Sequence, residues 1–244
     1  MTDCVYSGRT IRRIVVLTGA GVSAESGLQT FRDADGLWEG HDPMEIATPE
    51  AFARNPELVY RFYNARRCQL PEVHPNAAHR ALARLQRDFN GEVFLLTQNV
   101  DDLHERAGSR QVCHMHGELG SMLCAHCSAR MPAADELSAS LVCPQCQRPG
   151  GLRPDIVWFG EMPYHMHDIA EKLAACDFFL AIGTSGVVYP AAGFVREAVH
   201  AGAHTVEINV RVSEVSGYFH EQRQGPATRE VTAMVDALLS GPAV

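Results

Sequence analysis

The chain has 244 residues, 46% of them hydrophobic and 20% charged, enough for one large domain or for one domain and a small module. A formal net charge of −8 argues against general nucleic-acid binding. The longest apolar runs, such as FFLAIG and IVVL, are too short to span a bilayer, and MTDCVYSGRT holds no apolar stretch for a signal peptide, so a cytoplasmic location is expected.

In chain order, RRIVVLTGAG is the first of several buried strands that run into polar loops. GAGVSA, residues 19–24, fits G-x-G-x-x-A after a strand. Its glycines would let the backbone approach a pyrophosphate, and the N-terminus of a following helix would offer free N–H groups. Alone the motif is weak, and a tight strand-to-helix turn is the alternative. No second strand ends in an acidic residue roughly twenty positions later. Instead, TFRDADGLWEGHDP reads as an ordered loop.

VYRFYNARRCQL, residues 59–70, reads as helix. At about 100° per residue, Val59, Phe62, Tyr63, Arg66 and Leu70 share one side, while Arg61, Asn64 and Arg67 point elsewhere. A guanidinium keeps its charge, so Arg66 on an apolar face needs an anionic partner.

GEVFLLTQNVDDLHERAG reads as a strand, a polar loop and a helix start. In HMHG, His114 and His116 would share a face if the segment is extended. CAHC and CPQC then place Cys124-x2-Cys127 and Cys143-x2-Cys146 fifteen residues apart, the spacing of a zinc ribbon. Four thiolates would close the shell of a structural zinc, with no open position for water. Two disulfides are the alternative, disfavoured in a cytosolic chain. Cys4, Cys68, Cys113 and Cys176 are scattered and read as small hydrophobes.

CDFFLAIGTSGVVYPAAGFVREAV reads as strand, Gly/Ser turn and helix, and AHTVEINV as a short strand. Together these runs predict an α/β fold with a parallel sheet covered on both faces. Ligands in such sheets bind at the carboxyl ends of the strands, where TGAGVSAESG, TQNVDD, GTSG and EINV collect the polar residues. Asn209 in EINV is a candidate contact for a ribose.

GAGVSAESGLQTFR, TQNVDDLH, HMHG, the double CxxC, VWFGE and GTSGVVYP occur in this order. The set resembles the sirtuins, NAD-dependent protein lysine deacylases, and is most similar to the bacterial type. The likeness runs from about Arg12 to the end of the chain. It departs at Gln29, where many sirtuins have Pro, but Phe31 and Arg32 stay in register.

The resemblance implies a Rossmann-like NAD-binding domain over 1–39, 74–117 and 151–244, and a small module over 40–73 and 118–150 made of a helical insertion and the zinc ribbon. NAD and an acyl-lysine would meet in the cleft between them. The acyl oxygen would displace nicotinamide to form an imidate, and a base would activate a ribose hydroxyl to attack it. The products would be lysine, nicotinamide and O-acyl-ADP-ribose.

His116 is the implied base. The implied NAD contacts are Gly19, Ala20, Gly21, Ser23, Ala24, Glu25, Phe31, Arg32, Gln98, Asn99, Asp101, Gly183, Thr184, Ser185, Asn209 and Ala227. For Gln98, Asn99 and Asp101, loop capping is the simpler alternative. Phe159, Gly160, Glu161 and Val187 would hold the substrate backbone as an added strand. Tyr63 and Arg66 resemble the Tyr-x-x-Arg pair of desuccinylase-type sirtuins, so succinyl- and malonyl-lysine join acetyl-lysine as expected substrates.

The expected cofactors are NAD, as co-substrate, and one structural zinc. The expected partners are acylated proteins, met by a monomer without membrane or direct nucleic-acid contact. Three competing readings remain at this stage: a mono-ADP-ribosyltransferase, a non-catalytic NAD or ADP-ribose sensor, and a zinc-ribbon nucleic-acid protein. The last would want a basic face, and only Arg130 and Arg148 lie near the ribbon.

Overall fold

The computed structural model describes residues 4–29, 38 and 40–240; Phe31 and Arg32 lie outside them. A hairpin of β1 (Cys4–Tyr6) and β2 (Arg9–Ile11) precedes β3 (Arg13–Thr18), the first strand of the main sheet. Three helices follow: α1 (Pro43–Ile46), α2 (Pro49–Arg54) and α3 (Pro56–Gln69). Each opens on a proline after a capping residue, with Asp42, Thr48 and Asn55 accepting from the backbone N–H of Met44, Ala51 and Leu58. The same prolines disfavour helix in the residue before them, so this stretch breaks into three pieces.

The chain continues through α4 (Ala77–Asp88), β4 (Glu92–Thr97), α5 (Leu103–Arg106) and β5 (Cys113–His114). Next come β6 (Gly117–Cys124), β7 (Arg130–Pro132) and β8 (Leu152–Ile156). It closes with α6 (Met166–Ala175), β9 (Phe178–Ile182), α7 (Phe194–His200), β10 (His204–Asn209), β11 (Glu221–Gln224) and α8 (Ala227–Leu239).

The main sheet has six parallel strands in the order β11-β10-β9-β3-β4-β5. Alternate residues serve opposite faces. Ile14, Val16, Phe178, Leu180 and Ile182 pack with α4 and α8 on one side. Val15, Leu17, Phe179 and Ala181 pack with α6 and α7 on the other. The predicted α/β class with both faces covered is what the chain adopts.

Register brings Thr18, Thr97 and Ile182 level at the carboxyl ends of β3, β4 and β9. Between β3 and β9 the connections leave in opposite directions, from β3 to β4 on one side and from β9 to β10 on the other, which opens a crevice there.

Beyond that edge sits a second sheet, β7-β6-β8, with α1–α3 against it. The helical insertion packs against the ribbon, and the ribbon sheet runs past residue 150. β8 pairs with β6 as far as Ile156 opposite Gly117, because Leu152 and Ile156 complete the small module's two apolar clusters. Among the described residues no helix is long and apolar enough to cross a membrane.

Candidate active site

Two glycine loops meet at the crevice. Gly19 and Gly21 donate their N–H groups to the carbonyls of Ile182 and Gly183, each at 2.9 Å. A Cβ on Gly19 would stand 2.8 Å from the Gly183 oxygen, and one on Gly21 2.7 Å from the Gly183 Cα. The first demand on these glycines is thus close packing of loop on loop. The helix expected after GAGVSA is replaced by two single 3-10 turns, Ala20–Val22 and Ala24–Ser26, the second ended by Gly27 at φ 96°. Ser23, between them, directs its side chain inward instead of starting a longer helix.

The Ser23 hydroxyl organises the crevice floor. His79 Nδ1 accepts from Asn76 N–H, so its Nε2 carries the hydrogen and faces Ser23 Oγ at 3.4 Å. Asn99 Nδ2 donates to the same oxygen at 3.1 Å, and Ser23 donates onward to Asp101 at 3.1 Å. One donor and two acceptor sites are all used. Desolvation raises the Asp101 pKa, opposed by hydrogen bonds from Leu103 N–H and Ser23.

On the neighbouring loop, Gln98 Nε2 donates to Thr184 Oγ1, and Asn209 Nδ2 donates to the Thr184 carbonyl at 2.7 Å. The Asn209 side-chain oxygen accepts from Val210 N–H, so both ends of that amide have partners within the chain.

His116 leaves β5 at the crevice wall, with Nδ1 3.2 Å from the Gln98 carbonyl. A carbonyl only accepts, so Nδ1 carries the hydrogen and Nε2 keeps its lone pair. Burial lowers the pKa of His116, partly countered by that carbonyl, which leaves a neutral imidazole near pH 7.

Across the cleft the segment after β8 is held by one ion pair. Arg153 binds Glu161 at 2.7 and 2.8 Å and lies 3.7 Å from the Trp158 ring centre. Glu161 also accepts from Trp158 N–H, so this carboxylate shapes its own loop. Trp158 Nε1 donates to the Tyr63 hydroxyl at 3.0 Å, which leaves the hydroxyl hydrogen for another acceptor. Arg66 sits one helical turn on, buried, with its guanidinium 4.7 Å from the Trp38 ring and 5.8 Å from Phe62.

All these walls enclose one cleft of about 710 Å³. It is lined by Gly19, Ala20, Gly21, Ser23, Gln98, Asn99, Asp101 and His116, by Gly183, Thr184, Ser185, Val187 and Asn209, and by Tyr63, Arg66, Phe159, Gly160 and Glu161. Among the described residues, three expected NAD contacts are not in its lining. Glu25 accepts from the backbone N–H and hydroxyl of Thr228, so it caps α8; Ala227 starts that helix, and Ala24 starts the turn that carries Glu25. The sequence did not single out Trp38, Val100 or the 210–214 segment, all of which line the cleft, nor His79 behind it. The capping spacing Asn76-x-x-His79 was a usable signal for His79, though not for its second partner, Ser23.

The four ribbon cysteines are free thiols, with Sγ–Sγ separations of 3.7 Å for Cys124–Cys146 and 3.8 Å for Cys127–Cys143. A tetrahedral zinc at about 2.3 Å from each sulfur requires edges of about 3.8 Å, so the cluster fits the ion and excludes disulfides. Backbone N–H groups of Cys146 and Gln145 help bring the Cys143 thiol down to about 7. Near the ribbon, Arg130 pairs with Asp155 and lies over Tyr164, so one of the two basic residues is already engaged.

The Sir2 family model matches residues 19–190. An NAD-dependent protein deacylase of Caulobacter vibrioides is 56% identical over 235 residues, covering 95% of this chain and 99% of that protein. Another, of Bdellovibrio bacteriovorus, is 54% identical over 233 residues, covering 95% and 98%. The crystal structure of a Sir2 homologue–NAD complex superposes with a TM-score of 0.86 at 38% identity, over 94% of this chain and 90% of that one.

Proposed function

The chain belongs to the Sir2 family, and from that premise we propose how its cleft removes acyl groups from protein lysines and which acyl groups it prefers. It is an NAD-dependent protein lysine deacylase with one structural zinc. NAD, as co-substrate, supplies an electrophilic ribose carbon and a hydroxyl beside it.

Within that chemistry, the two glycine loops give the dinucleotide a wall without side chains, and Thr184 and Ser185 face its phosphates and ribose. Asn99 and Asp101, fixed by Ser23, hold the nicotinamide end. His116 takes the proton from the ribose hydroxyl through Nε2, because Nδ1 is held by Gln98. The substrate backbone lies between the 157–161 and 187–189 segments.

Arg66 and Tyr63 set the acyl preference. Both line the cleft that His116 lines, and this single observation carries the reading. A succinyl or malonyl carboxylate at Arg66 gains a charge-assisted contact of roughly 1.5–3 kcal/mol, with a further hydrogen bond from Tyr63.

Mass spectrometry of the protein with NAD and matched acetyl-, succinyl- and unmodified lysine peptides is the test. Free lysine, nicotinamide and O-acyl-ADP-ribose from the acylated peptides are expected, with succinyl favoured. ADP-ribose left on the acceptor would instead indicate a transferase, and binding of NAD without turnover would indicate a sensor.

A further inference from the structure

Besides the ribbon, one other set of metal-ligating side chains converges among the described residues. Glu105 of α5, His114 of β5 and Glu118 of β6 each offer one ligand atom, and these atoms lie within 4.8 Å of one another. They come from three elements: two belong to the large domain, and the third is a strand of the small sheet. We propose that Glu105, His114 and Glu118 form a second cation site, for a divalent transition ion, that clips β6 to the loop behind the cleft floor.

His114 is already oriented as a ligand. It is 7% exposed, and its Nδ1 lies 3.0 Å from the Asn99 carbonyl. The carbonyl fixes the hydrogen on Nδ1 and aims Nε2 at the two carboxylates, where it donates to Glu105 until a cation displaces that proton. This is the backing that a metal-bound histidine takes from a carbonyl in its outer shell. From Nε2 the nearest oxygens are 2.8 Å away on Glu105 and 3.6 Å away on Glu118. A cation about 2.1 Å from each ligand atom needs separations of about 3.0–3.4 Å, which these two distances bracket.

Charge points the same way. A proton on Nε2 balances one of the two carboxylates and leaves the other facing them; a divalent ion balances both. One nitrogen and two carboxylate oxygens, with both glutamates half-exposed, suit a borderline or hard ion that keeps water ligands, such as Zn2+ or Mn2+. Its effect would reach the cleft directly, since the carbonyl behind His114 belongs to Asn99.

Mn2+ is the probe, because the four thiolates of the ribbon select zinc and leave a hard ion unbound. The intact zinc-loaded protein is titrated with MnCl2, and free Mn2+ is counted by electron paramagnetic resonance. One bound Mn2+ per chain is expected, with the His114 ring signals broadened in the NMR spectrum. The E105Q/E118Q double variant should keep its ribbon zinc and bind Mn2+ at least tenfold more weakly. Asp102→Asn, a neighbouring exposed carboxylate, should bind as the unmodified protein does. No saturable Mn2+ binding, or equal affinity in the double variant, would show an ordinary His–Glu ion pair and overturn the site. Neither readout depends on turnover.

Discussion

Arg66 shows what a charged side chain does when a helix carries it into an aromatic wall. Its stem is buried with Phe62 and Tyr63, and its guanidinium stands by Trp38 at the cleft lining. Arg66→Met keeps the length and apolar stem and removes the charge. It should raise the KM for succinyl-lysine about tenfold or more, the equivalent of one charge-assisted contact, and leave acetyl-lysine much less affected. Tyr63→Phe should act in the same direction more weakly. Equal damage to both substrates, or loss of the fold, would make Arg66 a structural partner and remove the basis for acidic-acyl preference. His116 makes a separate claim. His116→Ala should keep the fold and zinc while deacylation falls a hundredfold or more, as loss of a general base usually does. Near-normal turnover on every acyl peptide would mean that another group takes the proton.

The elements divide into those whose sequence signals were local and those whose shape depends on a neighbour. The stripe of Val59, Phe62, Tyr63 and Arg66 in α3, with Leu70 just past its end, is buried as its spacing predicted. Tyr60 is equally buried and was missed, because α3 has two apolar partners: its other flank meets the ribbon, where the Tyr60 hydroxyl donates to the Leu152 carbonyl at 2.7 Å. A one-face reading cannot see a second cluster supplied by residues some ninety positions away. The glycine loop erred in the opposite sense. Its motif was legible, but the Ser23 contacts and the packing against Gly183 that keep it in short turns are tertiary. Glu25 was likewise assigned to the cofactor because of its motif, while its carboxylate serves α8. The ribbon was legible outright, because two CxxC turns and their spacing specify a metal shell without help from the rest of the chain. Cys143→Ala should release the zinc, loosen the small module and lower activity as the cleft wall gives way. A zinc-free, folded and fully active variant would show that the module stands without metal.

For the whole molecule, the buried histidines tie stability to pH. His79 is fully buried at the interface between α4 and the cleft floor, and burial first, then Arg80, lowers its pKa from 6.5 to about 4. His104, also fully buried, is likewise held well below its ordinary pKa by burial and by its neighbours His79 and His114. The unfolded chain binds these protons below pH 6.5 and the folded chain does not, so stability falls as pH drops from 6.5 toward 4. For His79 alone the difference amounts to about 3 kcal/mol over that interval. Two groups act differently. Burial opposes charge on His114, but Glu105 raises its pKa on balance, so its contribution is lost only as pH rises above 6.5. Asp101, raised from 3.8 by desolvation, favours the folded state as pH falls toward its own pKa and partly masks the histidines. A raw stability profile therefore mixes signs, and a variant comparison separates them. His79→Gln keeps a polar side chain beside Ser23 and removes the titration. Urea unfolding midpoints measured between pH 7 and 4 should show a variant less stable at pH 7, for want of the Asn76 and Ser23 contacts, but with a clearly shallower decline below pH 6.5. Parallel curves for the two proteins would show that His79 accepts its proton without opening the structure.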